Sequence, residues 1–137
     1  MRSLYDDIIA TLEGATFSFA NVQVRKPFDP APREYPMLVV HEIVNIPLTY
    51  VTVNGEDRTT LSYQIDVLTK DAVDTSNTVV GRYDAGRTLV DEVVTALGAA
   101  YSFTRRTVRP NPLSVDVMEF QIRGDCILDR HGYAYRP

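Results

Sequence analysis

The chain has 137 residues, 45% of them hydrophobic and 23% charged, enough for one domain whose core needs no disulfide or metal to hold it. A net charge of −4 and a pI near 5.1 disfavour a broad basic surface for nucleic acid, because neutralising phosphates takes clustered Lys and Arg. The single cysteine, Cys126, excludes a disulfide within the chain and fits a reducing compartment.

The first expected element is a helix. Leu4, Tyr5, Ile8, Ile9 and Leu12 fall on one stripe, Ser3 stands where a cap belongs, Asp6 and Asp7 occupy the first turn, and Gly14 is the stop. No secretion signal is expected, since those acids sit where its apolar run would begin. Phe17, Phe19, Val22 and Val24 then read as a strand with a bulge between Phe19 and Val22. From Arg25 to Pro36, four prolines forbid a helix or a central strand. The segment is expected to be an extended arm or loop that either crosses the domain surface or reaches a neighbouring subunit; a stiff, preordered segment loses less entropy on docking.

Met37 to Val44 is rich in β-branched residues and reads as a buried strand that Pro47 ends. Tyr50 to Val53 runs into Asn54-Gly55, the pair that supplies the positive φ angles of a two-residue hairpin. On the return strand Leu61, Tyr63, Ile65 and Val67 share one face, while Ser62, Gln64 and Asp66 share the other. Lys70 to Tyr83 reads as a loop. A second helix is expected over 85–97, with Leu89, Val90, Val93, Val94 and Leu97 as its stripe, Asp84 as N-cap and Gly98 as stop. A connection holding Pro110 and Pro112 leads to the last sheet segment, where Val115 and Val117 lie in one phase and Met118, Phe120 and Ile122 in the other, which predicts a bulge near Val117-Met118. After a turn at 129–132, Tyr133 and Tyr135 form a short strand. The sum is an α+β domain over 1–137: a mostly antiparallel, twisted sheet with two helices packed on one face.

Motifs that carry chemistry are missing from the sequence. His41-Glu42 begins like a zinc-protease motif, but Val44 and Asn45 stand where the second histidine belongs, and the setting is a strand. Cys126, His131 and Asp125 or Asp129 are close in sequence, yet a triad is defined by geometry, and these residues flank a turn. Neither a Gly-x-Ser-x-Gly elbow nor a phosphate-binding glycine loop with its lysine is present. The adjacent acids Asp6-Asp7, Glu56-Asp57 and Asp91-Glu92 read as solvated pairs, and Arg105, Arg106 and Arg109 as a solvated basic face. Neither enzyme activity nor a metal or other cofactor is expected. Without a run of roughly 20 apolar residues, no membrane contact is expected either. Tyrosine is conspicuous: Tyr35, Tyr50, Tyr133 and Tyr135 lie at element ends, where they either cap the core or serve an interface.

The order of elements resembles that of the tail terminator, or tail completion, proteins of long-tailed bacteriophages. The resemblance lies in the amphipathic helix Leu4 to Leu12, the strand pair with its hairpin from Met37 to Val67, the alternation Leu61-Ser62-Tyr63-Gln64-Ile65-Asp66-Val67, and the helix Ala85 to Leu97. The closing stretch from Val117 to Ile127, with Gly132-Tyr133-Ala134-Tyr135-Arg136, completes it. The resemblance implies a homo-oligomer, a hexameric ring, assembled in the host cytoplasm and located in the virion tail. Its implied partners are the major tail tube protein and a head-completion or connector protein. It implies no sequence-specific nucleic acid, only a lumen through which DNA passes, which the acidic balance suits. Subunit or partner contacts are then expected on the arm 25–36, at Arg25, Lys26, Phe28, Arg33 and Tyr35. The hairpin 48–60 is the other expected contact, at Tyr50, Asn54, Gly55, Glu56, Asp57 and Arg58. A head–tail connector or minor capsid subunit is the alternative within the same class, and a small cytoplasmic hydrolase using Cys126 or His131 is the alternative outside it.

Overall fold

The computed structural model describes residues 4–42, 49–53, 56–98, 101–111 and 114–127. Helix α1 spans Leu4–Glu13 and ends one residue before Gly14, whose amide bonds the Ala10 carbonyl at 3.1 Å. Ser3 lies outside the described residues. Strand β1 (Gln23–Arg25) is short, and β2 (Met37–Glu42) runs parallel to it. Strand β3 (Thr49–Val53) pairs with the start of β4 (Glu56–Thr69); Val53 lies opposite Glu56, which leaves a two-residue connection for Asn54 and Gly55, themselves outside the described residues. Strands β5 (Ala72–Val73) and β6 (Val79–Val80) form a separate small ladder. Helix α2 (Arg82–Leu97) follows, and then the long strands β7 (Tyr101–Asn111) and β8 (Ser114–Ile127). The main sheet has the order β1-β2-β4-β8-β7, with β3 on β4, and every pairing but β1–β2 is antiparallel.

The alternation along β4 sets the two faces of the sheet. Tyr63, Ile65 and Val67 are almost wholly buried, and they stand beside Leu38 and Val40 of β2 and Phe120 and Ile122 of β8. Ile8 and Leu12 of α1 and Ala85, Leu89, Val90, Val93 and Leu97 of α2 belong to the same cluster, so both helices cover one face. Each such large side chain contributes about 1.5–3 kcal/mol by leaving water. The other face is not simply polar. Met37, Leu68 and Val117 form a second buried cluster there, with Tyr35 and Val39 packed against it.

That second cluster explains the phase change in the last strand. The β4–β8 ladder is continuous from Thr60↔Ile127 to Thr69↔Met118, where it ends. Val117 and Phe120 are both buried because each face has its own core. The irregularity expected near Val117-Met118 is found in the pairing with β7, which passes from Pro110↔Met118 to Asn111↔Ser114 and leaves residues 115–117 of β8 without a register partner on β7.

Four further expectations are corrected. The strand expected over Phe17–Val24 shrinks to Gln23–Arg25, because Asn21 turns the chain with φ 58 and residues before it bond elsewhere. The Ser18 amide donates to the Glu92 carboxylate, and the Ser18 carbonyl accepts from the Thr75 amide at 2.8 Å. The expected loop Lys70–Tyr83 holds the β5–β6 ladder, whose turn is built by Asp74 accepting from the amides of Ser76 and Thr78 at 2.9 Å. Helix α2 starts earlier than expected, at Arg82 after Gly81, so Asp84 lies within its first turn; the Arg82 amide is bonded instead by the Asp71 carboxylate at 2.8 Å. The expected connection around Pro110 is strand β7. Proline is tolerated there because β7 is an edge strand and Pro110 sits at its register shift. The strand expected at Tyr133–Tyr135 lies outside the described residues, as do Val44 and Pro112.

Helix α2 lies close against the sheet at Gly86, where a Cβ would fall 2.0 Å from the Phe120 ring. Gly86→Ala should therefore destabilise the protein although alanine favours helix by about 1 kcal/mol, since overpacking costs about 1–3 kcal/mol. Urea denaturation should show a net loss, and a gain in stability would contradict this packing.

Candidate partner-binding cleft

The Pro-rich segment is a loop folded back on its own sheet. Arg25 closes it: Nη1 donates to the Ala31 carbonyl at 3.0 Å and Nη2 to the Pro32 carbonyl at 2.6 Å. The Asp29 carboxylate accepts from the Ala31 amide, and the Gln23 amide donates to the Pro36 carbonyl, which returns the chain to β2. Between this loop and the helix-free face lies a cleft of ≈ 320 Å³. Arg25, Lys26, Pro27, Phe28, Asp29 and Arg33 form its loop side, and Met37, Val39, His41, Asp66, Leu68, Arg109 and Glu119 its sheet side.

The sheet side is a row of hydrogen-bonded polar and charged side chains. His41 Nε2 lies 2.9 Å from Asp66 Oδ2, Gln64 Nε2 donates to Asp66 Oδ1 at 2.8 Å, and Arg123 Nε donates to Gln64 Oε1 at 2.7 Å. Arg109 Nε donates to Glu119 Oε2 at 2.9 Å, across β7 and β8. The Asp66 and Glu119 side chains are only 12% and 9% exposed, so each needs the partner it has. Among the described residues no three of His, Cys, Asp and Glu are placed to hold a metal ion. The Asp66 and Glu119 carboxylates are taken up by partners across the sheet, His41 of β2 and Arg109 of β7.

Next to the cleft, Lys70 links the loop to β8. Its ammonium stands 4.9 Å over the Tyr35 ring and 3.5 Å from Asp116. The hydrogen bond from Ser114 to Asp116, joined by a backbone amide and Lys70, holds the Asp116 carboxyl below the usual carboxylate range.

Of the expected contact residues, Arg25, Lys26, Phe28 and Arg33 come together at the cleft, and Tyr35 packs inward on the Met37 cluster. Tyr50, Glu56, Asp57 and Arg58 lie on the β3–β4 hairpin, with side chains outside the described part. Arg58 and Asp66 are eight residues apart on one strand, roughly 27 Å at about 3.4 Å per residue, so loop and hairpin are two separate places. Cys126 lies opposite Leu61 on the ladder, three pairs from Gln64, the partner of His41; His131 lies outside the described residues. The sequence reading missed Glu119 and the role of Arg109. Glu119 shares the phase of Val117, opposite to Met118 and Phe120, which is the one signal that could have marked it as enclosed.

Two outcomes follow from these bonds. Arg25→Met removes both closing donors, so the Phe28-Asp29 bond should be cut several-fold faster by chymotrypsin, read by mass spectrometry, with little change in the global denaturation midpoint. Asp66→Ala leaves His41 and Gln64 without their acceptor and should cost about 1–3 kcal/mol, while Asp66→Asn should cost less; equal losses in urea titrations would mean that the bonds contribute nothing. No protein-family model matches the chain, and a search of the curated proteins gives no match either.

Proposed function

We propose that this chain is a structural protein of a long-tailed phage that forms a ring on the end of the tail tube, stops tube polymerisation and provides the head–tail joining surface. The order of elements in the sequence motivates this reading, and the β3–β4 hairpin is the observation that carries it. Among the described residues, β8 pairs with β4 only as far as Thr60, and β2 only as far as Tyr63. Among those residues, 56–59 are paired with β3 alone. A two-stranded pairing of this kind is marginal on its own and gains stability by packing on something else. A neighbouring subunit or the tube end supplies such a surface, and binding without covalent chemistry is all the function requires.

Electron microscopy of the purified protein, alone and with its cognate tail tubes, tests this directly. Rings seated on tube ends are expected. Glu56→Ala, Asp57→Ala and Arg58→Ala combined should leave helical circular dichroism unchanged and reduce the fraction of capped tubes. Bare tube ends at saturating protein would sink the reading, and rings that bind connectors but not tubes would assign the connector role instead.

A further inference from the structure

We infer that the cleft under the Pro-rich loop holds a short acidic segment of a partner protein, with a carboxylate of that segment on Arg33 and an apolar side chain against Phe28 and Val39. This goes beyond the tail reading and does not rest on it, because the cleft belongs to the single chain and needs no ring.

Charge selects the sign of the partner. Four cations line the cleft, Arg25, Lys26, Arg33 and Arg109, against three carboxylates, Asp29, Asp66 and Glu119. All three carboxylates are engaged within the chain. Asp66 is held by His41 and Gln64, Glu119 by Arg109, and Asp29 by the Ala31 amide. A cationic partner would have to compete for acceptors that already have donors. The cations are matched differently. Arg25 donates to two carbonyls, which are neutral and leave its charge uncompensated. Lys26 pairs with Asp6, outside the cleft, at 3.9 Å between exposed side chains. Arg33 is exposed and makes no hydrogen bond or ion pair among the described residues. Its planar guanidinium is the group best shaped to take a carboxylate through two parallel bonds.

Shape selects a peptide. At ≈ 320 Å³ the cleft has room for a side chain or two, not for a folded surface. Val39 is half-buried on its floor, beside buried Met37 and Leu68. Phe28, on the loop side, is 102% exposed and sits at φ 61, a conformation that a bulky residue adopts at a cost. A small anion would reach Arg33 and leave that ring bare, whereas a peptide segment covers both. Arg25 already closes the loop, so little order has to be imposed on binding. Nucleic acid is the weaker fit, since three carboxylates face the same space and the chain carries a net charge of −4.

An NMR titration of the purified chain tests this. The probe is an acetylated and amidated Leu-Glu-Phe-Glu-Leu peptide, with Leu-Gln-Phe-Gln-Leu as its neutral counterpart and an oligothymidylate as the nucleic-acid arm. Amide shifts in 25–39 should saturate with the acidic peptide, and the neutral one should bind roughly ten-fold more weakly. Arg33→Gln and Phe28→Ala, both at exposed positions, should each weaken binding several-fold with an unchanged thermal midpoint. Arg33→Lys keeps the charge without the fork and should recover only part of the loss. Arg87→Gln, on α2 and so on the other face of the sheet, should change nothing. No saturation up to about 5 mM peptide, equal binding of the neutral peptide, or full affinity of either the R33Q or the F28A variant would overturn the site. So would an equal loss in R87Q, which would reduce the effect to net charge, or tighter binding of the oligothymidylate to the same residues. Bare tube ends, by contrast, count against the tail reading and leave the cleft untouched.

Discussion

The fold depends on the second half of β4 being enclosed on all four sides. From Tyr63 to Leu68 it is paired with β2 along one edge and β8 along the other, while its faces meet the helices on one side and the proline-rich loop on the other. A strand so placed has no water to satisfy its backbone over the shared stretch, which makes the flanking ladders obligatory. It also fixes the register of its neighbours, because a slip of one residue would put Ile65 and Val67 among the charges and Asp66 against α1 and α2.

The two faces solve different problems. On the helix side, burial is apolar and close-packed, to the point that α2 carries a glycine where it crosses Phe120. On the loop side, burial includes two carboxylates: Asp66 is held by His41 of β2 and by Gln64 of its own strand, and Glu119 by Arg109 of β7. Pairs of this kind add little net stability, since taking the charged groups out of water offsets their attraction. What they fix is the relative position of β2, β4, β8 and β7, and with it the floor on which the loop rests.

Much of this arrangement was legible in the amino-acid order. The alternation from Leu61 to Val67 and the stripe from Leu89 to Leu97 mark a one-sided strand and its covering helix, because burial against a single partner forces those periods. Elsewhere tertiary bonding overrode local pattern. Phe17 and Phe19 alternate like a strand, but Ser18 between them is tied to Glu92 and Thr75. Pro110 and the arginines of β7 resemble a connection, since an edge strand tolerates what a central one does not. Asp84 looked like the cap of α2, while the cap came from Asp71, a partner 11 residues away in sequence. The cleft was legible only in part: the loop's cations stand out, whereas the pairing of Glu119 with Arg109 requires knowing which strands are neighbours.

The Asp71 cap has a consequence for how this region opens. Thr69 Oγ1 donates to the Arg82 carbonyl at 2.6 Å while Asp71 accepts from the Arg82 amide, so both sides of one residue are held by the stretch that enters the β5–β6 ladder. The Thr75 amide, between the two strands of that ladder, in turn holds Ser18, whose own amide is held by Glu92 in the middle of α2. These links close a circuit. Fraying of the small ladder releases the first turn of α2 and the 15–22 segment together, so the three form one cooperative opening unit whose amides exchange with solvent in step, separate from the slower sheet beneath.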